Sequence, residues 1–265
     1  MKMSEIAKKI TAGLSHLGSI IRPRVHLIVD RSRSLGNFDT PASDIRTDFN
    51  KEDISRRYVL SREGVGLTYL DVGARDGELT YLLGIRGNLV FDEVFYQQNM
   101  ACFRKKYKYY GMDLQPAADS CVIGGDACAE NYTQENERFR GFFDVIYSNN
   151  VFEHFQRPWV AAANLTTFLK PGGLIITIVP FSQRYHESPC DYFRYTHKGV
   201  EALFAAAGEF EVLESGYDIL GRRINWQGSG KANDIVPVDH FGAWRETWFT
   251  VSVLRKRSQP ATDCN

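Results

Sequence analysis

The stretch Thr68-Tyr-Leu-Asp-Val-Gly-Ala-Arg-Asp-Gly77 predicts a short buried strand that breaks into a glycine-rich turn. Gly73 and Gly77 allow backbone angles and close approaches that a Cβ atom would block. The next residues, Glu78-Leu-Thr-Tyr-Leu-Leu83, can open a helix. Asp71 would then lie at the tip of the strand, where an open α/β sheet presents ligand-binding groups. Taken alone, the pattern is equally compatible with a plain tight turn.

Three later segments follow this stretch in order and have the same strand-like character. They are Tyr110-Gly-Met-Asp113, Gly125-Asp126 and Phe143-Asp-Val-Ile-Tyr147. An acid at the end of the second strand, here Asp113, commonly accepts hydrogen bonds from ribose hydroxyls. A dinucleotide site would require G-x-G-x-x-G at the first turn, and the chain lacks that pattern. The segments together predict an α/β domain that binds a nucleoside-containing ligand other than a dinucleotide.

With these motifs in order, residues 58 to 256 resemble the class I S-adenosylmethionine-dependent methyltransferases of the small-molecule branch called type 11. The resemblance implies a Rossmann-like α/β fold with a seven-stranded, mostly parallel sheet. The segment from Phe143 to His154 resembles the fourth motif, whose strand end faces the reactive methyl group. Leu169-Lys-Pro-Gly-Gly-Leu-Ile-Ile-Thr-Ile178 resembles the family's helix end, Pro-Gly-Gly turn and fifth buried strand. The implied cofactor is S-adenosylmethionine, with S-adenosylhomocysteine as its product.

The resemblance also implies the cofactor-binding residues. The first motif would wrap the methionine part of the cofactor, Asp113 would bind the ribose and Asp126 would meet the adenine amino group. The full implied set is Asp71, Gly73, Arg75, Gly77, Asp113, Leu114, Asp126, Ala127, Ser148 and Asn149. Arg75 replaces the middle glycine of the family's usual D-x-G-x-G-x-G. It could clash with the cofactor or pair with the methionine carboxylate through its fork of donors, and we favour the pairing.

The predicted methyltransferase domain spans residues 58–257, with insertions near 87–106 and 217–244 and a tail over 258–265. The first insertion could cap the active site, form an interface or be a surface helical hairpin. Residues 1–57 form a predicted extension that begins with a helix, because apolar residues recur there at helical spacing. That helix would pack on the core or on a second subunit, which leaves a homodimer open. Residues 31–57 are polar and predict a loop-rich connection, either a lid or a disordered arm.

The composition predicts a cytoplasmic enzyme. Thirty-two basic and 32 acidic residues balance, so the chain has no bulk field to hold a polyanion and we expect no nucleic-acid partner. No uncharged apolar run reaches the roughly 18 residues that a membrane span requires. Charged residues near the amino terminus also interrupt what would be a signal core. The five cysteines are odd in number and lack C-x-x-C spacing, which indicates reduced thiols.

Two histidines are the predicted catalytic residues. A sulfonium-bound methyl is already activated, so the protein must align a nucleophile with it and exclude water. A hydroxyl nucleophile must also lose its proton to a base. His154, just after the fourth strand, and His186, after the fifth, would both lie at the rim where the methyl group sits. Both could instead be structural, and His197 is better explained as the start of a helix.

The segment Ser188-Pro-Cys-Asp-Tyr-Phe-Arg-Tyr-Thr196 predicts the substrate-binding residues. It resembles H-x-x-P-x-D-Y-x-R-[FY]-T strings of bacterial methyltransferases associated with glycan and other surface-polymer biosynthesis. The resemblance implies a small-molecule or glycan-like acceptor bound by Asp191, Tyr192 and Arg194. In the alternative, Asp191 and Arg194 pair with one another and only fix the loop before a helix over residues 198–207.

A metal-assisted reaction is an alternative to a histidine base. Asn150-Val-Phe-Glu-His154 resembles the E-x-x-E-H string of metal-assisted RNA-end and ubiquinone-pathway methyltransferases. Asn150 replaces the first glutamate and is a weaker, neutral ligand, so we expect no metal. If one binds, its implied ligands are Glu153, His154 and His186. Methyl transfer to nitrogen or to an RNA end, and a cofactor-binding but inactive partner subunit, also stay open.

Overall fold

A computed structural model of the chain describes residues 51–74, 81–86, 90–116, 122–183, 185–186, 189–218, 223–224 and 246–258. Several predictions fall outside these residues. They concern the amino-terminal helix, Arg75, Gly77, the helix opening at Glu78, and most of the 217–244 insertion and of the 258–265 tail.

The described chain alternates strands and helices through most of its length. In order, the elements are α1 Lys51–Leu60, β1 Leu67–Val72, β2 Ile85–Arg86, β3 Val90–Phe91, α2 Glu93–Lys106, β4 Tyr107–Asp113, β5 Val122–Gly124, α3 Tyr132–Glu135, β6 Phe143–Asn149, α4 Pro158–Phe168, β7 Leu169–Ser182, α5 His197–Ala205, β8 Phe210–Tyr217, β9 Arg223–Ile224 and β10 Glu246–Lys256. Short 3-10 turns lie at Tyr81–Gly84, Glu137–Phe139 and Phe152–His154.

The main sheet has the strand order β5-β4-β1-β6-β7-β10-β8, and the short β9 pairs with β10. The first five of these strands run parallel, and β10 is antiparallel to both β7 and β8. The predicted seven-stranded, mostly parallel sheet is therefore confirmed. The chain steps from β1 outward to β4 and β5, and β6 then returns to the other side of β1. Loops that leave such a reversal point diverge and open a crevice at the carboxyl ends of the strands.

Apolar side chains cover both faces of the sheet. Consecutive residues of β1 point to opposite faces, so Leu70 packs with the cluster that includes Leu165 of α4, and Tyr69 packs with Phe103 of α2. The near-continuous apolar sequence of β1 reflects this two-sided burial. Asp71 is the charged residue of the strand, and it lies near the carboxyl end.

Residues 51–57 were predicted as part of a loop-rich connection, and this prediction was wrong. They belong to α1, in which Ile54 and Val59 are 1% and 2% exposed and join the core. Glu52 and Asp53 in the first turn and Arg57 in the last complement the helix dipole. The many charged side chains on the remaining positions concealed the narrow apolar face of this helix.

Residues 93–106, within the predicted 87–106 insertion, form α2. Asp92 caps this helix by accepting a hydrogen bond from the backbone N–H of Phe95, and Met100 and Phe103 are buried against the sheet. The helix leads directly into β4, the parallel neighbour of β1. It therefore has the position of a crossover helix. A role for this region as a cap or an interface stays a prediction.

The predicted Pro-Gly-Gly turn lies inside β7 rather than before it. Phe143 of β6 pairs with Leu169 and Val145 pairs with Leu174, so β7 bulges between these two pairs. Gly172 in the bulge has a φ of +74°, which favours glycine. The prediction of a turn that precedes the strand was wrong, because β7 already pairs with β6 at Leu169, before the bulge, and pairs with it again from Leu174.

Further predictions are confirmed in the second half of the chain. Helix α5 begins at His197, and the side chain of Thr196 caps it by accepting from the backbone N–H of Gly199. The expected closing antiparallel strands are β8 and β10.

The described cysteines Cys102, Cys128 and Cys190 are free thiols. Among the described helices, none has the length and apolar character needed to cross a membrane.

Candidate active site

A cavity of about 810 Å³ opens at the edge where β1, β4, β5 and β6 end. The loops after these strands form its wall together with His186, Pro189, Cys190 and Tyr192. The described lining residues are Val72, Gly73, Met112, Asp113, Leu114, Gln115, Gly125, Asp126, Ala127, Cys128, Asn150, Val151, His154, Phe155, Gln156, Arg157, His186, Pro189, Cys190 and Tyr192.

Gly73 brings the loops after β1 and β6 into contact. Its φ is +80°, and a Cβ atom built on it would lie only 2.4 Å from Cγ2 of Val151. The backbone N–H groups of Gly73 and Ala74 donate to the carbonyl of Met112, at 2.7 and 3.1 Å. The close approach of the loops therefore requires a glycine here, as the sequence pattern indicated.

Asp71 is not among the described lining residues, although the next two residues, Val72 and Gly73, are. Asp71 is only 1% exposed, and its carboxylate oxygen Oδ2 accepts a hydrogen bond of 3.3 Å from the hydroxyl of Tyr109. Burial raises the pKa of Asp71 to about 7, although the Tyr109 hydrogen bond lowers it in part. Near neutral pH the carboxyl group therefore exists in both protonation states. A direct contact of Asp71 with the cofactor stays a prediction.

Two acidic residues predicted to bind the cofactor, Asp113 and Asp126, both line the cavity. A carboxylate oxygen of Asp113 accepts from the backbone N–H of Gln115 at 3.2 Å, and one of Asp126 accepts from that of Cys128 at 2.8 Å. These local contacts orient both side chains in their turns. Leu114 follows Asp113 and is 53% exposed, so it offers an apolar surface at the cavity.

Asn164 of α4 fixes the loop after β5, and sequence analysis missed it. Its side-chain amide donates to the carbonyls of Ala127 and Ala129, both at 2.9 Å, and its oxygen accepts from the hydroxyl of Thr133. Asn164 is buried. A polar residue inside an otherwise apolar helix was the only available signal, and it gave no indication of the partner loop.

After β6, Asn150 lines the cavity, whereas the two residues before it, Ser148 and Asn149, do not. Ser148 is fully buried and Asn149 is half-buried, and neither is among the described lining residues. Asn150 lines the cavity with a φ of +56°, a left-handed conformation that asparagine adopts more readily than most residues. The predicted cofactor contacts of Ser148 and Asn149 stay predictions.

The two predicted catalytic histidines lie side by side. Their ring centroids are 5.1 Å apart at an interplanar angle of 89°. Nδ1 of His154 lies 2.5 Å from the carbonyl oxygen of Cys190, which can only accept, so this nitrogen carries the proton. Burial lowers the pKa of His154 despite that hydrogen bond, and the neighbouring His186 lowers it further. His154 is therefore neutral at pH 7, with the lone pair on Nε2.

Glu153 lies close to the two histidines and is completely buried. Among the described residues neither of its carboxyl oxygens has a hydrogen-bond partner. Burial raises its pKa to about 8, so the carboxyl group is mostly protonated at neutral pH. Its Oε1 lies 3.7 Å from Nε2 of His154. Because both groups are neutral at pH 7, this contact is not an ion pair.

Glu153, His154 and His186 could together hold a metal ion. Each offers one donor atom, and these atoms lie within 4.8 Å of one another. Two imidazoles and one carboxylate suit a transition-metal ion better than Mg²⁺ or Ca²⁺, which prefer oxygen. Binding would displace the proton from Glu153. The donor set therefore fits a metal, although the sequence analysis expected none.

Asp191 and Arg194 form a two-fold ion pair. Nη1 and Nη2 of Arg194 donate to the two carboxylate oxygens of Asp191, at 2.5 and 2.7 Å. Arg194 also donates through Nε to the carbonyl of Gln183 at 3.0 Å. This is the predicted alternative in which the two residues pair and fix their loop. Of the three predicted substrate-binding residues, Tyr192 is the one among the described lining residues.

Residues 13–226, more than half of the chain, match the family described as "Methyltransferase domain". The chain belongs to this family. Its sheet and crevice are those expected of a class I S-adenosylmethionine-dependent methyltransferase. No curated protein sequence matches this methyltransferase.

Two solved structures illustrate the similarity of fold. One is the 1,6-didemethyltoxoflavin-N1-methyltransferase of Burkholderia thailandensis, with bound 1,6-didemethyltoxoflavin and S-adenosylhomocysteine. It is 16% identical over 89% of this chain and 91% of that chain, with a TM-score of 0.46. The other is YcgJ of Bacillus subtilis, 11% identical over 79% of this chain and 99% of that chain, with a TM-score of 0.49. Both are too distant to indicate the substrate.

The cavity of the methyltransferase suits S-adenosylmethionine. Asp113 and Asp126 place carboxylate groups at the cavity, and Leu114 adds an apolar surface. Their contacts with the ribose and adenine of the cofactor stay predictions. Gly73 leaves backbone uncovered at the crevice, where a side chain would collide with Val151. The effect of Arg75 on the cofactor lies outside the described residues.

Proposed function

We propose that this methyltransferase transfers the methyl group of S-adenosylmethionine to a hydroxyl of a sugar-like or other polar small molecule, with a histidine as general base. The observation that carries the proposal is the pair of imidazoles, His154 and His186, in the same cavity as Asp113 and Asp126. Bound S-adenosylmethionine supplies an activated methyl group. The residues of the chain must then orient the acceptor, exclude water and remove the hydroxyl proton.

We assign the base to His186, with His154 beside it. The side chain of His186 is 26% exposed, compared with 13% for His154, so an acceptor hydroxyl reaches His186 more easily. His154 is neutral at pH 7 and adds no positive charge that would oppose proton uptake by its neighbour. General base catalysis of this kind typically contributes a factor of about 10²–10⁴ to the rate.

The polar and aromatic side chains of the cavity wall favour a polar, sugar-like acceptor. Gln156, Arg157 and Tyr192 are among these side chains, and Tyr192 is 46% exposed. An aromatic ring at this position can pack on the apolar face of a sugar while its hydroxyl stays hydrated. The resemblance of the 188–196 segment to glycan-associated enzymes supports the same class of acceptor.

A metal-assisted form of this reaction is the second candidate. It is favoured by Glu153, whose buried carboxyl group lacks a hydrogen-bond partner among the described residues although it faces two histidines. In this form the cluster would bind a divalent ion, and the ion would help the hydroxyl to lose its proton. Histidine could not then act as the free base.

The first experiment is calorimetric titration of the protein with S-adenosylmethionine and S-adenosylhomocysteine. We expect saturable binding that Asp113→Ala weakens by about 10- to 100-fold, since a hydrogen bond to a charged group contributes about 1.5–3 kcal/mol. Asp53→Ala is the matched control, because it removes an exposed carboxylate on α1 that is not among the described lining residues. Failure of the wild type to bind the cofactor, or to turn it over once bound, would instead favour an inactive partner subunit.

The second experiment is a methyl-transfer assay with nucleotide sugars as acceptors. We expect transfer to oxygen that His186→Gln reduces while binding of S-adenosylmethionine is retained. Activity that survives in the double variant of His154 and His186 would favour a nitrogen acceptor, which needs no base. Activity lost with a chelator and restored by Mn²⁺ would favour the metal-assisted form. Strongly salt-dependent binding of RNA would favour an RNA-end acceptor.

A further inference from the structure

The segment from Cys190 to Arg194 contacts the Nδ1 atoms of both cavity histidines. The carbonyl oxygen of Cys190 lies 2.5 Å from Nδ1 of His154. Oδ2 of the next residue, Asp191, lies 3.3 Å from Nδ1 of His186. Cys190 and Asp191, which are consecutive in sequence, therefore each place an acceptor oxygen near the Nδ1 atom of a different histidine.

Asp191 also holds the backbone of His186. The same Oδ2 atom accepts from the N–H of His186 at 2.8 Å. One carboxylate therefore contacts both the main chain and the ring of this residue, which limits how the ring can turn. A carboxylate is an acceptor only, so the ring nitrogen that faces it is stable as N–H.

Arg194 keeps Asp191 ionised and in place. The side chain of Asp191 is 1% exposed, and both of its oxygens accept from the guanidinium of Arg194. Arg194 is in turn attached to the carbonyl of Gln183, which follows directly on β7. Asp191 is therefore a fixed, charged acceptor connected to the sheet.

We infer that Asp191 is a positioning residue, which holds the proton of His186 on Nδ1 and so directs the unprotonated Nε2 toward the acceptor. The inference rests on the proposed function, in which His186 is the base. It assigns Asp191 and Arg194 to the orientation of His186 rather than to contact with substrate. In many enzymes a histidine is fixed in this way by an acceptor on its other ring nitrogen.

The decisive measurement is the tautomer of His186 in the wild-type protein, which needs no acceptor and uses a variant only to assign the signals. We would record histidine ring nitrogens by ¹⁵N NMR at a pH where the imidazoles are neutral, and assign His186 from the spectrum of His186→Gln. We expect protonated Nδ1 and unprotonated Nε2 for His186, and the same for His154. A proton on Nε2 of His186 would overturn the inference.

Asp191→Asn tests the cause. We expect the His186 signals to move toward a mixture of tautomers, while those of His154 stay unchanged because a backbone carbonyl fixes that ring. Glu201→Gln is the matched control: it breaks the Lys198–Glu201 ion pair, which has the same i,i+3 spacing in sequence and lies outside the cavity lining. An unchanged His186 tautomer in Asp191→Asn would overturn the inference. Calorimetric binding of S-adenosylhomocysteine shows whether the variant is folded.

Kinetics with a nucleotide-sugar acceptor separate positioning from substrate binding. We expect Asp191→Asn to lower kcat by about 10- to 100-fold, because the contact of the ring with a charged acceptor is lost, with KM for the acceptor nearly unchanged. A raised KM with normal kcat would show that Asp191 contacts the substrate and would overturn the inference. If the wild type transfers no methyl group to oxygen, the proposed function fails, whereas the NMR result still decides whether Asp191 fixes the ring.

Discussion

Strand β6 has a buried acid at each end, and the two acids are in opposite situations. Asp144 at the start is held by the backbone N–H and hydroxyl of Thr68 and by the ammonium group of Lys170, at 2.8, 3.0 and 2.8 Å. Burial alone would raise its pKa, but these donors hold the pKa below its usual value. Glu153, just beyond the other end, has no hydrogen-bond partner among the described residues and a pKa of about 8.

The difference separates a structural end of the sheet from a functional one. A buried carboxylate with several donors stabilises the fold, whereas a buried carboxyl group without them destabilises it whenever it ionises. Such unsatisfied acids persist where a site needs them and cluster at functional sites. The amino ends of the strands therefore contribute stability, and the carboxyl ends give up some stability to form the cavity.

The largest effect should come from His186→Gln at the functional end. We expect the rate of methyl transfer to fall about 10²- to 10⁴-fold, because the general base is lost. The free energy of unfolding should change by less than about 1 kcal/mol, since His186 is partly exposed. Rapid-quench assays and urea denaturation measure the two quantities. A large loss of stability would contradict the assignment of stability to the amino ends of the strands and of function to the carboxyl ends.

Glu153→Gln should change stability in a pH-dependent way. The folded-state pKa of about 8 lies above the ordinary value of 4.5, so the folded state binds more protons between these values and wild-type stability falls as pH rises through them. Glutamine cannot ionise, so the variant should be nearly equal to wild type at pH 4. By pH 7 it should be the more stable, on the order of 2–3 kcal/mol. Urea denaturation across this range checks the sign, and a variant less stable at pH 7 would contradict it.

Asp144→Asn should change the free energy of unfolding with the opposite pH dependence to Glu153→Gln, and by a smaller amount. The lowered folded-state pKa means that the stabilisation by Asp144 is present above its ordinary pKa and is lost as pH falls through the folded value. We expect a loss of about 2 kcal/mol at pH 7 from the disrupted donors, shrinking in acid. Binding of S-adenosylhomocysteine should stay unchanged in calorimetry. Weaker binding would mean that the two ends of β6 are coupled.

Tyr109→Phe should have the smallest effect. Removal of the hydroxyl takes away the hydrogen bond that lowers the pKa of Asp71, so this pKa should rise above about 7. Because a raised pKa of a buried acid lowers stability only at higher pH, the variant should equal wild type near pH 4. It should lose less than about 1 kcal/mol by pH 8. Equal losses at both pH values would show that packing, not ionisation, is responsible.

The sequence predicted the functional end of the sheet better than the structural end. The acid and glycine positions 73, 113 and 126 were identified because each lies at or just after the end of a strand, and a parallel sheet brings such positions to one edge. The Asp144 network was not predicted, since its contacts join residues 76 and 26 positions apart. Hydrogen bonds between distant side chains leave no periodic pattern in a sequence.

The positions of the histidines were predicted, but their surroundings were not. His154 and His186 were chosen because they follow the fourth and fifth strands, and both line the cavity. Neither the contact of His154 with a backbone carbonyl nor that of His186 with Asp191 follows from residue types. Helix α1 was missed for a related reason, because the burial of Ile54 depends on a sheet that forms elsewhere in the chain.

The contact between Gly73 and Val151 limits how the cavity can be redesigned. A side chain at position 73 would have to push Val151 aside from a distance of 2.4 Å, so even alanine would wedge the two loops apart. Shortening the partner has the opposite result: Val151→Ala would widen the crevice while both loops keep their backbone paths. An engineer who wants this methyltransferase to accept a bulkier acceptor should therefore vary position 151 and leave position 73 untouched.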